Sequence, residues 1–312
     1  MNENGKEVDI SLVIPVFNNA ESIPELWESI NSQLLNFKNM ESEIIFVDDG
    51  STDESWTEIL KLSGNNRIGV KLSKNFGQLG AMKAGYKVAQ GKFIISISAD
   101  LQDPPTLIRE MIEACIEGYE LVLCARTSRD DSLLAKFTSK IAYFFLTREN
   151  PKIPKGGFDV FLFSSNLRDQ MLSLKGRFNF LQGDLLYFGY EYKTIYYHRE
   201  KRKYGKSGYT FKKRLQNFQD AVLDSNYTLI KYLSTFGFLV SLLGFILGLI
   251  VLMGKVLGRI TVDGYALVTC SVLFIGGIQI VLTGLLGQYI WRIYDAARDR
   301  PAFVIQKIDL GI

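Results

Sequence analysis

The hydrophobic and polar positions divide the chain into two parts near residue 232. Before this point short apolar runs alternate with segments of helical spacing, whereas long apolar runs dominate after it and most of the charge is gone. Short β-rich runs that alternate with helices are typical of βαβ units and a largely parallel sheet. The expected fold class of the first part is therefore α/β.

Five strands and three helices are predicted in this first part. The predicted strands span 10–16, 43–47, 67–72, 92–97 and 121–125, and the helices span 20–35, 78–89 and a segment that Pro104-Pro105 opens. Proline is tolerated in the first turn of a helix. Ligands of such sheets bind beyond the carboxyl ends of the strands, which is where Asp48, Asp49 and Asp100 fall.

Two long apolar runs, 232–253 and 265–290, predict a transmembrane hairpin over 232–290. Each run reaches the ~20 residues that a helix needs to cross a bilayer. Both contain glycines, which favour close packing of membrane helices. Two buried helices of a soluble protein are the alternative, but core helices are usually shorter and have a polar face.

The segments around the hairpin predict its topology. In 211–231 apolar positions recur at helical spacing beside the cations at 212–214, which is typical of an amphipathic helix on an anionic membrane surface, although a helix packed on the domain has the same pattern. Positive charge is denser outside the hairpin than in the loop 254–264. The positive-inside bias therefore predicts an integral membrane protein whose domain 1–210, tail 291–312 and both termini are cytoplasmic.

Composition excludes several other kinds of function. A net charge of +3 does not favour nucleic-acid binding, and one histidine, His198, does not suffice for a His-rich zinc site. The three cysteines lack paired spacing and are expected to be buried thiols in a reducing compartment. The polar residues 1–9 contain no apolar core of a signal peptide.

Two acidic segments follow predicted strands. In Asp48-Asp49-Gly50-Ser51 a carboxylate can accept hydrogen bonds from a nucleobase or a ribose, although a structural turn is the default interpretation of such a segment. Gln102 lies two residues after Asp100, so in extended geometry the two side chains can point to the same side. Two such oxygens plus a diphosphate suit Mg²⁺ or Mn²⁺. Asp103 is expected instead to cap the following helix.

These segments resemble one enzyme family in their order and spacing. The matching motifs are Ile14-Pro15-Val16-Phe17-Asn18, Asp48-Asp49-Gly50-Ser51-Thr52-Asp53, Lys74-Asn75-Phe76-Gly77, Ala99-Asp100-Leu101-Gln102-Asp103-Pro104-Pro105 and Arg199-x-x-Arg202-x-x-Gly205-x-Ser207-x-Tyr209. The chain is similar over nearly its whole length to family 2 glycosyltransferases of GT-A fold, a Rossmann-like arrangement. The similarity is greatest to the polyprenyl-phosphate branch, which includes dolichyl-phosphate mannose synthase and bactoprenol glucosyltransferases.

The resemblance implies a role for each matching residue. The nucleotide-sugar site would be formed by Pro15, Val16, Asp48, Asp49, Ser98, Ala99 and Asp100. Asp100 and Gln102 would hold the metal, and Arg126, Lys136 and Ser139 would bind the acceptor phosphate. The groups that act in the transfer would be Asp100, Arg126, Asp159, Arg199 and Arg202. Ser98 stands where a second metal-binding aspartate is usual, which implies weaker metal binding.

The implied reaction is the inverting transfer of a sugar from a nucleotide-diphosphate sugar, UDP favoured over GDP, to undecaprenyl or dolichyl monophosphate. It would occur at the cytoplasmic face of a membrane, with the bacterial inner membrane favoured. The second pKa of a monophosphate lies near ~6, so this acceptor needs no strong base. The alternatives are transfer to a hydroxyl of a lipid-linked glycan or glycolipid and an inactive membrane scaffold. Family analogy and the glycine-rich spans favour a homo-oligomer.

Overall fold

The computed structural model describes residues 7–127, 157–174, 181–200, 264–298 and 300–311, together with positions 154, 203, 204, 236, 237, 239, 246, 253 and 257. The predicted amphipathic segment 211–231 and most of the predicted span 232–253 lie outside the described residues.

Eight strands of the described chain form one sheet. They are Ile10–Val16 (β1), Ser42–Asp48 (β2), Arg67–Leu72 (β3), Phe93–Ser96 (β4), Leu121–Arg126 (β5), Phe158–Ser164 (β6), Tyr192–Tyr197 (β7) and Ile305–Asp309 (β8). Their order across the sheet is β7-β5-β6-β4-β1-β2-β3-β8. The pairs β1–β2, β1–β4, β2–β3 and β5–β7 are parallel, whereas β6 and β8 run antiparallel to their neighbours. The predicted α/β class with a mostly parallel sheet is confirmed.

Helices cover both faces of the sheet. They are Ile23–Leu34 (α1), Ser55–Lys61 (α2), Gln78–Val88 (α3), Thr106–Ile116 (α4), Ser165–Ser173 (α5), Leu181–Tyr187 (α6) and Tyr265–Ala297 (α7). Apolar side chains of α1 and α4 pack with one face, and those of α3, α5 and α6 pack with the other. Burial on both faces explains why β1 and β2 are continuous apolar runs rather than alternating ones.

The predicted boundaries of the elements agree best with the observed ones where an apolar run ends abruptly in polar residues. β1 and β3 have the predicted bounds 10–16 and 67–72. The predicted helix 20–35 begins as a 3₁₀ turn, Ala20–Ser22, and becomes α-helical at Ile23, with a proline in the first helical turn. Cys115 and Cys124 are free and buried, as expected, and burial raises the pKa of the Cys115 thiol to about 11.

The end of the described chain returns to the sheet, which was not predicted. The tail 291–312 was expected to follow the hairpin, and within it β8 pairs with β3. Nη2 of the buried Arg67 donates to Oδ1 of Asp309 at 2.7 Å. Gly311 has φ +67°, and a Cβ at this position would approach the Arg67 carbonyl oxygen to 2.7 Å. The strand is therefore held to β3 by backbone pairing, by an ion pair between the buried Arg67 and the partly exposed Asp309, and by the close approach of Gly311 to Arg67.

The predicted span 265–290 lies inside the 33-residue helix α7. Large apolar side chains on this helix are exposed, including Val272, Ile280 and Ile290. Within the described residues, no helix is both long enough and apolar enough to cross a membrane.

Candidate functional site

The carboxyl ends of β1, β2, β4, β5 and β7 reach the same edge of the sheet, and the antiparallel strand β6 begins there. The register pairs Val16 with Asp48 at the ends of β1 and β2. It also pairs Arg126 with Tyr197 at the ends of β5 and β7. The predicted site residues that follow these strands therefore converge on one edge, as expected for a ligand site of a parallel sheet.

The turn after β2 is built around Asp48, which is fully buried. Its Oδ1 accepts a hydrogen bond from the Ser51 amide at 3.0 Å, and its Oδ2 has no hydrogen-bond partner among the described residues. Gly50 adopts φ +68°, and a Cβ there would meet the Asn75 nitrogen at 2.7 Å. The turn thus requires glycine both for its left-handed backbone and for its contact with the next loop.

Asp49 holds the loop that follows β3. Its Oδ1 accepts from the Phe76 amide at 2.6 Å and its Oδ2 accepts from the Gly77 amide at 2.9 Å. Both carboxylate oxygens are therefore engaged by backbone groups of this loop. The direct contact of Asp49 with a nucleoside stays a prediction.

Asn18 joins the loop after β1 to the loop after β2. It has φ +53°, a left-handed conformation that asparagine tolerates better than most residues. Its amide donates to Oγ of Ser51 at 3.1 Å, and its Oδ1 accepts from the Thr52 amide at 2.8 Å. Pro15, half-buried, and Val16, buried, precede this junction in β1. The predicted nucleoside-binding residues thus lie at the ends of two neighbouring strands, and the loops that follow these strands are bonded to each other.

Asp100 lies on a tight turn beyond β4, with 7% of its surface exposed. Its Oδ1 accepts from the Gln102 amide at 3.2 Å, and between them Leu101 has φ +55°. The carbonyl oxygen of the buried Ala99 accepts from Oγ of Ser22 at 2.7 Å, and Ser98 is half-buried. A left-handed leucine is costly, and such strain persists where the surroundings hold the backbone in place.

Arg199 lies between two carboxylates. Its Nη2 is 3.5 Å from Oδ2 of Asp100, and its Nε is 3.4 Å from Oδ1 of Asp103. Both distances exceed the ~2.8 Å of a close charge-assisted hydrogen bond. The guanidinium therefore compensates both acids electrostatically without a tight contact to either of them.

The expectation that Asp103 caps helix α4 is wrong. The N-cap position belongs to Pro105, without a side-chain hydrogen bond. Asp103 is buried, and its Oδ1 accepts from the Tyr197 hydroxyl at 2.7 Å. Burial raises the pKa of the Asp103 carboxyl, and Arg199 and the Tyr197 hydroxyl oppose this rise. The side chain points towards the strand ends rather than towards its own helix.

Arg126 and Asp159 form an ion pair at the other side of Tyr197. Nη2 of Arg126 donates to Oδ2 of Asp159, while Nε2 of Gln182 lies 3.4 Å from the other carboxylate oxygen. Arg126 is paired with Tyr197 across β5 and β7, and its guanidinium lowers the pKa of the Tyr197 hydroxyl. Burial and the nearby Asp103 raise the pKa of Tyr197, so this phenol stays protonated at neutral pH. Four predicted residues, Asp159, Arg126, Arg199 and Asp100, thus lie in one chain of neighbouring residues that is completed by Tyr197 and Asp103.

Sequence reasoning missed two members of this chain, Tyr197 and Asp103. The spacing of Tyr197 and Arg199 offered a signal, because residues two apart at a strand end point the same way. The approach of Gln182 to Asp159 was likewise not predicted. Lys136, Ser139 and Arg202 lie outside the described residues, so their assignments stay predictions.

Buried polar atoms without a hydrogen-bond partner concentrate at this edge. Six such side-chain atoms occur among the described residues, and four of them belong to Asp48, Asp103, Arg126 and Arg199. Unsatisfied buried groups are costly and rare, so each one calls for an explanation such as a ligand. Two carboxylate oxygens and two guanidinium nitrogens without hydrogen bonds suit a ligand that carries both N–H or hydroxyl donors and phosphate oxygens.

The donor set beside Asp100 fits a divalent cation that is held jointly with a ligand. The described residues contain no group of three or more carboxylate, histidine or cysteine side chains that could hold a metal ion by themselves. Mg²⁺ commonly takes one or two protein carboxylates and completes its shell with phosphate oxygens and water. Asp100 and the side-chain oxygen of Gln102 are suitable ligands of this type. Nε2 of Gln102 donates to the Glu200 carbonyl at 3.1 Å, which steadies the side chain.

Comparisons with known proteins identify the family of the chain. Residues 11–171 match the family described as Glycosyl transferase family 2. A Bacillus subtilis protein named "Uncharacterized glycosyltransferase YkcC" is 35% identical, with 97% of this chain and 94% of that protein covered. A Yersinia enterocolitica protein named "Undecaprenyl-phosphate 4-deoxy-4-formamido-L-arabinose transferase" is 34% identical, with 99% and 96% covered.

A solved structure supports the fold. The crystal structure of mannosyl-3-phosphoglycerate synthase from Rubrobacter xylanophilus superposes with a TM-score of 0.50 at 17% identity, over 70% of this chain and 73% of that one. At this identity the likeness concerns the architecture of the sheet and its helices alone.

Proposed function

Because the chain belongs to glycosyltransferase family 2, we propose that it transfers a sugar from a nucleotide-diphosphate sugar to a polyprenyl monophosphate, with inversion at the anomeric carbon. Full-length similarity to a protein named as an undecaprenyl-phosphate sugar transferase supports this acceptor class. The observation that carries the proposal is the chain of neighbouring residues from Asp100 to Asp159, because it brings an acidic half of the site next to a guanidinium half.

The acidic half suits the donor. Asp48 has a buried oxygen without a hydrogen-bond partner among the described residues. The turn that it supports is hydrogen-bonded to the loop after β1 through Ser51 and to the loop after β3 through Asp49. A nucleobase N–H or a ribose hydroxyl would satisfy such an oxygen. Mg²⁺ or Mn²⁺ held by Asp100 and Gln102 would neutralise charge on the donor's diphosphate as this group leaves. We favour UDP over GDP as the nucleotide, on the resemblance alone.

The guanidinium half suits the acceptor phosphate. Arg126 has a buried Nε without a hydrogen-bond partner in the described chain, while its Nη2 is held by Asp159. A guanidinium presents donors in a fixed fork that matches phosphate oxygens. The pairing with Asp159 fixes the direction of this fork before the lipid phosphate arrives. Lys136, Ser139 and Arg202 are proposed to add further donors.

The chemical step needs little help from a base. One oxygen of the acceptor phosphate forms a bond with the anomeric carbon while the bond from that carbon to the donor diphosphate breaks on the opposite face. The acceptor is largely dianionic at neutral pH and is already a nucleophile. The main barrier that the protein lowers is the repulsion between two phosphate groups, and Arg126 and Arg199 supply the positive charge for this purpose.

The acceptor chemistry also supports a location at a membrane. We propose that residues 1–210 act at the cytoplasmic face of a membrane, anchored by the amphipathic segment 211–231 and the apolar segments within 232–290. The exposed apolar side chains of α7, such as Val272 and Ile280, are compatible with lipid contact. The tail 291–312 then returns to the sheet through β8. A bacterial inner membrane and a homo-oligomer are part of the same proposal.

Purified full-length protein, undecaprenyl phosphate in detergent and a panel of UDP- and GDP-sugars test the proposal. We expect nucleotide diphosphate release and a new lipid-linked sugar with one donor, in the presence of Mg²⁺ or Mn²⁺, and loss of both in EDTA. Matched reactions with a lipid-linked sugar as acceptor test the hydroxyl alternative. Absence of turnover with every donor and acceptor would favour the inactive scaffold and overturn the proposal.

A further inference from the structure

We propose that Glu25, on helix α1, is a positioning residue for Arg199, through its contacts with Lys203 and Tyr204. This inference rests on the proposed function, because it assigns Arg199 to the transfer step. The sequence motifs do not single out Glu25, and the contacts that carry the inference span 178 and 179 residues of chain.

Glu25 makes three hydrogen bonds with residues that follow Arg199. Nζ of Lys203 lies 2.7 Å from Oε1 and 2.8 Å from Oε2, so the ammonium contacts both oxygens of the carboxylate. The Tyr204 hydroxyl donates to Oε2 at 2.8 Å, and the Lys203 ammonium lies 5.4 Å from the Tyr204 ring centre. The hydrogen bonds from Lys203 and Tyr204 lower the pKa of Glu25, so the carboxylate stays ionised at neutral pH.

The same segment is fixed at its beginning by the turn that carries Asp100. The Glu200 amide donates to the Gln102 carbonyl at 2.9 Å, and Nε2 of Gln102 donates to the Glu200 carbonyl at 3.1 Å. Arg199 is the residue directly before Glu200, which makes both of these hydrogen bonds. Its guanidinium makes two loose contacts, at 3.4 and 3.5 Å, so its own ion pairs do not hold it tightly.

A cavity of about 570 Å³ is bordered by both attachment points. Its lining includes Glu25 and Ser29 of α1 together with Leu101, His198, Glu200 and Lys203. Glu200 and Lys203 therefore border open space next to α1. The attachment at Glu25 is therefore expected to limit the movement of the segment that carries Arg199.

The position of Arg199 matters because it is shared between Asp100 and Asp103. When a metal and a diphosphate bind at Asp100, the guanidinium has to remain close enough to compensate the added phosphate charge. An anchor outside the reacting centre can keep the arginine near without occupying its hydrogen-bonding groups. Glu25 meets this requirement, because its contacts are with Lys203 and Tyr204 and not with Arg199.

Two measurements on Glu25→Gln test the inference, with Glu28→Gln as the matched control. Glu28 is an exposed glutamate three positions further along α1. In Glu25→Gln, without substrates, we expect faster hydrogen exchange of the peptide that contains the Glu200 amide. With the donor that the panel identifies and undecaprenyl phosphate, we expect kcat to fall about fivefold and the donor KM to change less than twofold, since exposed ion pairs have modest effects. Glu28→Gln should match the wild type in both measurements.

The charge-reversed pair Glu25→Lys with Lys203→Glu provides a rescue, because the ion pair is re-formed and the Tyr204 hydroxyl can accept from the new lysine. We expect this pair to recover most of the lost kcat. Unchanged exchange in Glu25→Gln would overturn the inference at any level of activity, as would faster exchange with unchanged kcat. A wild type without turnover would overturn the proposed function, while the exchange measurement would still report the anchoring contact separately.

Discussion

The Tyr197 hydroxyl donates to Oδ1 of Asp103 at 2.7 Å, and this bond joins the end of β7 to the segment after Asp100 across 94 residues of chain. Tyr197 is also paired with Arg126 across the ends of β7 and β5. Tyr197 therefore lies between the two halves of the site, and both halves contain buried polar atoms without a hydrogen-bond partner among the described residues.

Replacing Tyr197 with Phe should destabilise the protein and reduce transfer. Asp103 would lose its hydrogen bond while it remains buried, which costs about 2 kcal/mol. This corresponds to a fall in Tm of roughly 4–8 °C for a domain of this size. Thermal unfolding and kcat/KM check the prediction. Tyr196→Phe is the control, because that neighbouring tyrosine is exposed. Equal Tm values for the two variants would contradict it.

Replacing Asp100 with Asn should abolish metal-dependent transfer more completely than replacing Ser98 with Ala. Asp100 is the carboxylate proposed to hold the metal, whereas Ser98 offers at most a hydroxyl oxygen. We expect kcat to fall at least about 10³-fold in Asp100→Asn, because the loss of a group that stabilises charge in the transition state has effects of this size. Titration of activity with Mg²⁺ and Mn²⁺ is the measurement. Normal metal-dependent activity of Asp100→Asn would show that the metal site has been misassigned.

Replacing Asp159 with Asn should distinguish the two acceptor classes. A phosphate acceptor needs no base, so the loss should be about tenfold and should come from weaker orientation of Arg126. A hydroxyl acceptor needs its proton removed, so the loss should exceed about 10³-fold. The kcat and the acceptor KM of Asp159→Asn decide between these outcomes. Gln182→Glu, which retains Asp159, serves as a control for local charge. Near-complete loss in Asp159→Asn with little loss in the control would favour the hydroxyl alternative.

Replacing Asp49 with Asn should raise the donor KM more than it lowers kcat. The asparagine retains one acceptor oxygen for the loop amides of Phe76 and Gly77 but presents an amide group to the other. Loosening of this loop should weaken donor binding by about tenfold, since one unsatisfied hydrogen-bonding group costs about 1–3 kcal/mol. Donor KM at saturating lipid phosphate is the measurement. An unchanged donor KM would indicate that the loop does not shape the donor site.

Replacing Asp309 with Asn should lower the stability of the fold at neutral pH and make this stability less dependent on pH in the acidic range. The hydrogen bond from Arg67 lowers the pKa of the Asp309 carboxyl below its usual 3.8. The stabilisation by the ionised carboxylate is therefore fully present above this unfolded-state value and is lost as the pH falls through the lower folded-state pKa. At pH 7 we expect a difference of about 1 kcal/mol, reduced by solvent screening because Asp309 is partly exposed.

Thermal unfolding of the wild type and of Asp309→Asn between pH 7 and pH 3 measures this effect. The difference in Tm between the two proteins should shrink as the pH falls below about 4. Gln306→Ala is the control, because it changes an exposed, uncharged side chain on the same strand. A Tm difference that stays constant down to pH 3 would contradict the proposed ion-pair contribution.

The sequence predicted those elements that depend on local patterns. β1 and β3 have the predicted bounds because apolar runs covered on both faces end where polar turns begin. Asp48, Asp100 and Arg126 reach one edge of the sheet because each ends or follows a strand of the same direction. The convergence of these three residues was therefore predictable from the alternation of strands and helices.

Contacts between distant segments were not predictable in this way. Asp103 was interpreted as a helix cap because prolines follow it, but a hydroxyl from a strand 94 residues away competes for the carboxylate. β6 and β7 have polar residues interspersed among the aromatic ones, and their pairing with β5 depends on the tertiary fold. The pairing of Arg126 with Asp159 follows from the antiparallel direction of β6, which the sequence did not reveal.

The return of β8 to the sheet has a consequence for the order of biosynthesis. β8 is translated after helix α7, whereas its partner β3 is translated early. Domains begin to fold from their N-terminal segments while the ribosome is still adding residues. The outer edge of β3 therefore stays open, with unpaired backbone groups that other strands can bind, until the helix has left the ribosome. Completion of the sheet is thereby delayed until the apolar helix has been made, so a chain interrupted before β8 is left with an unfinished sheet.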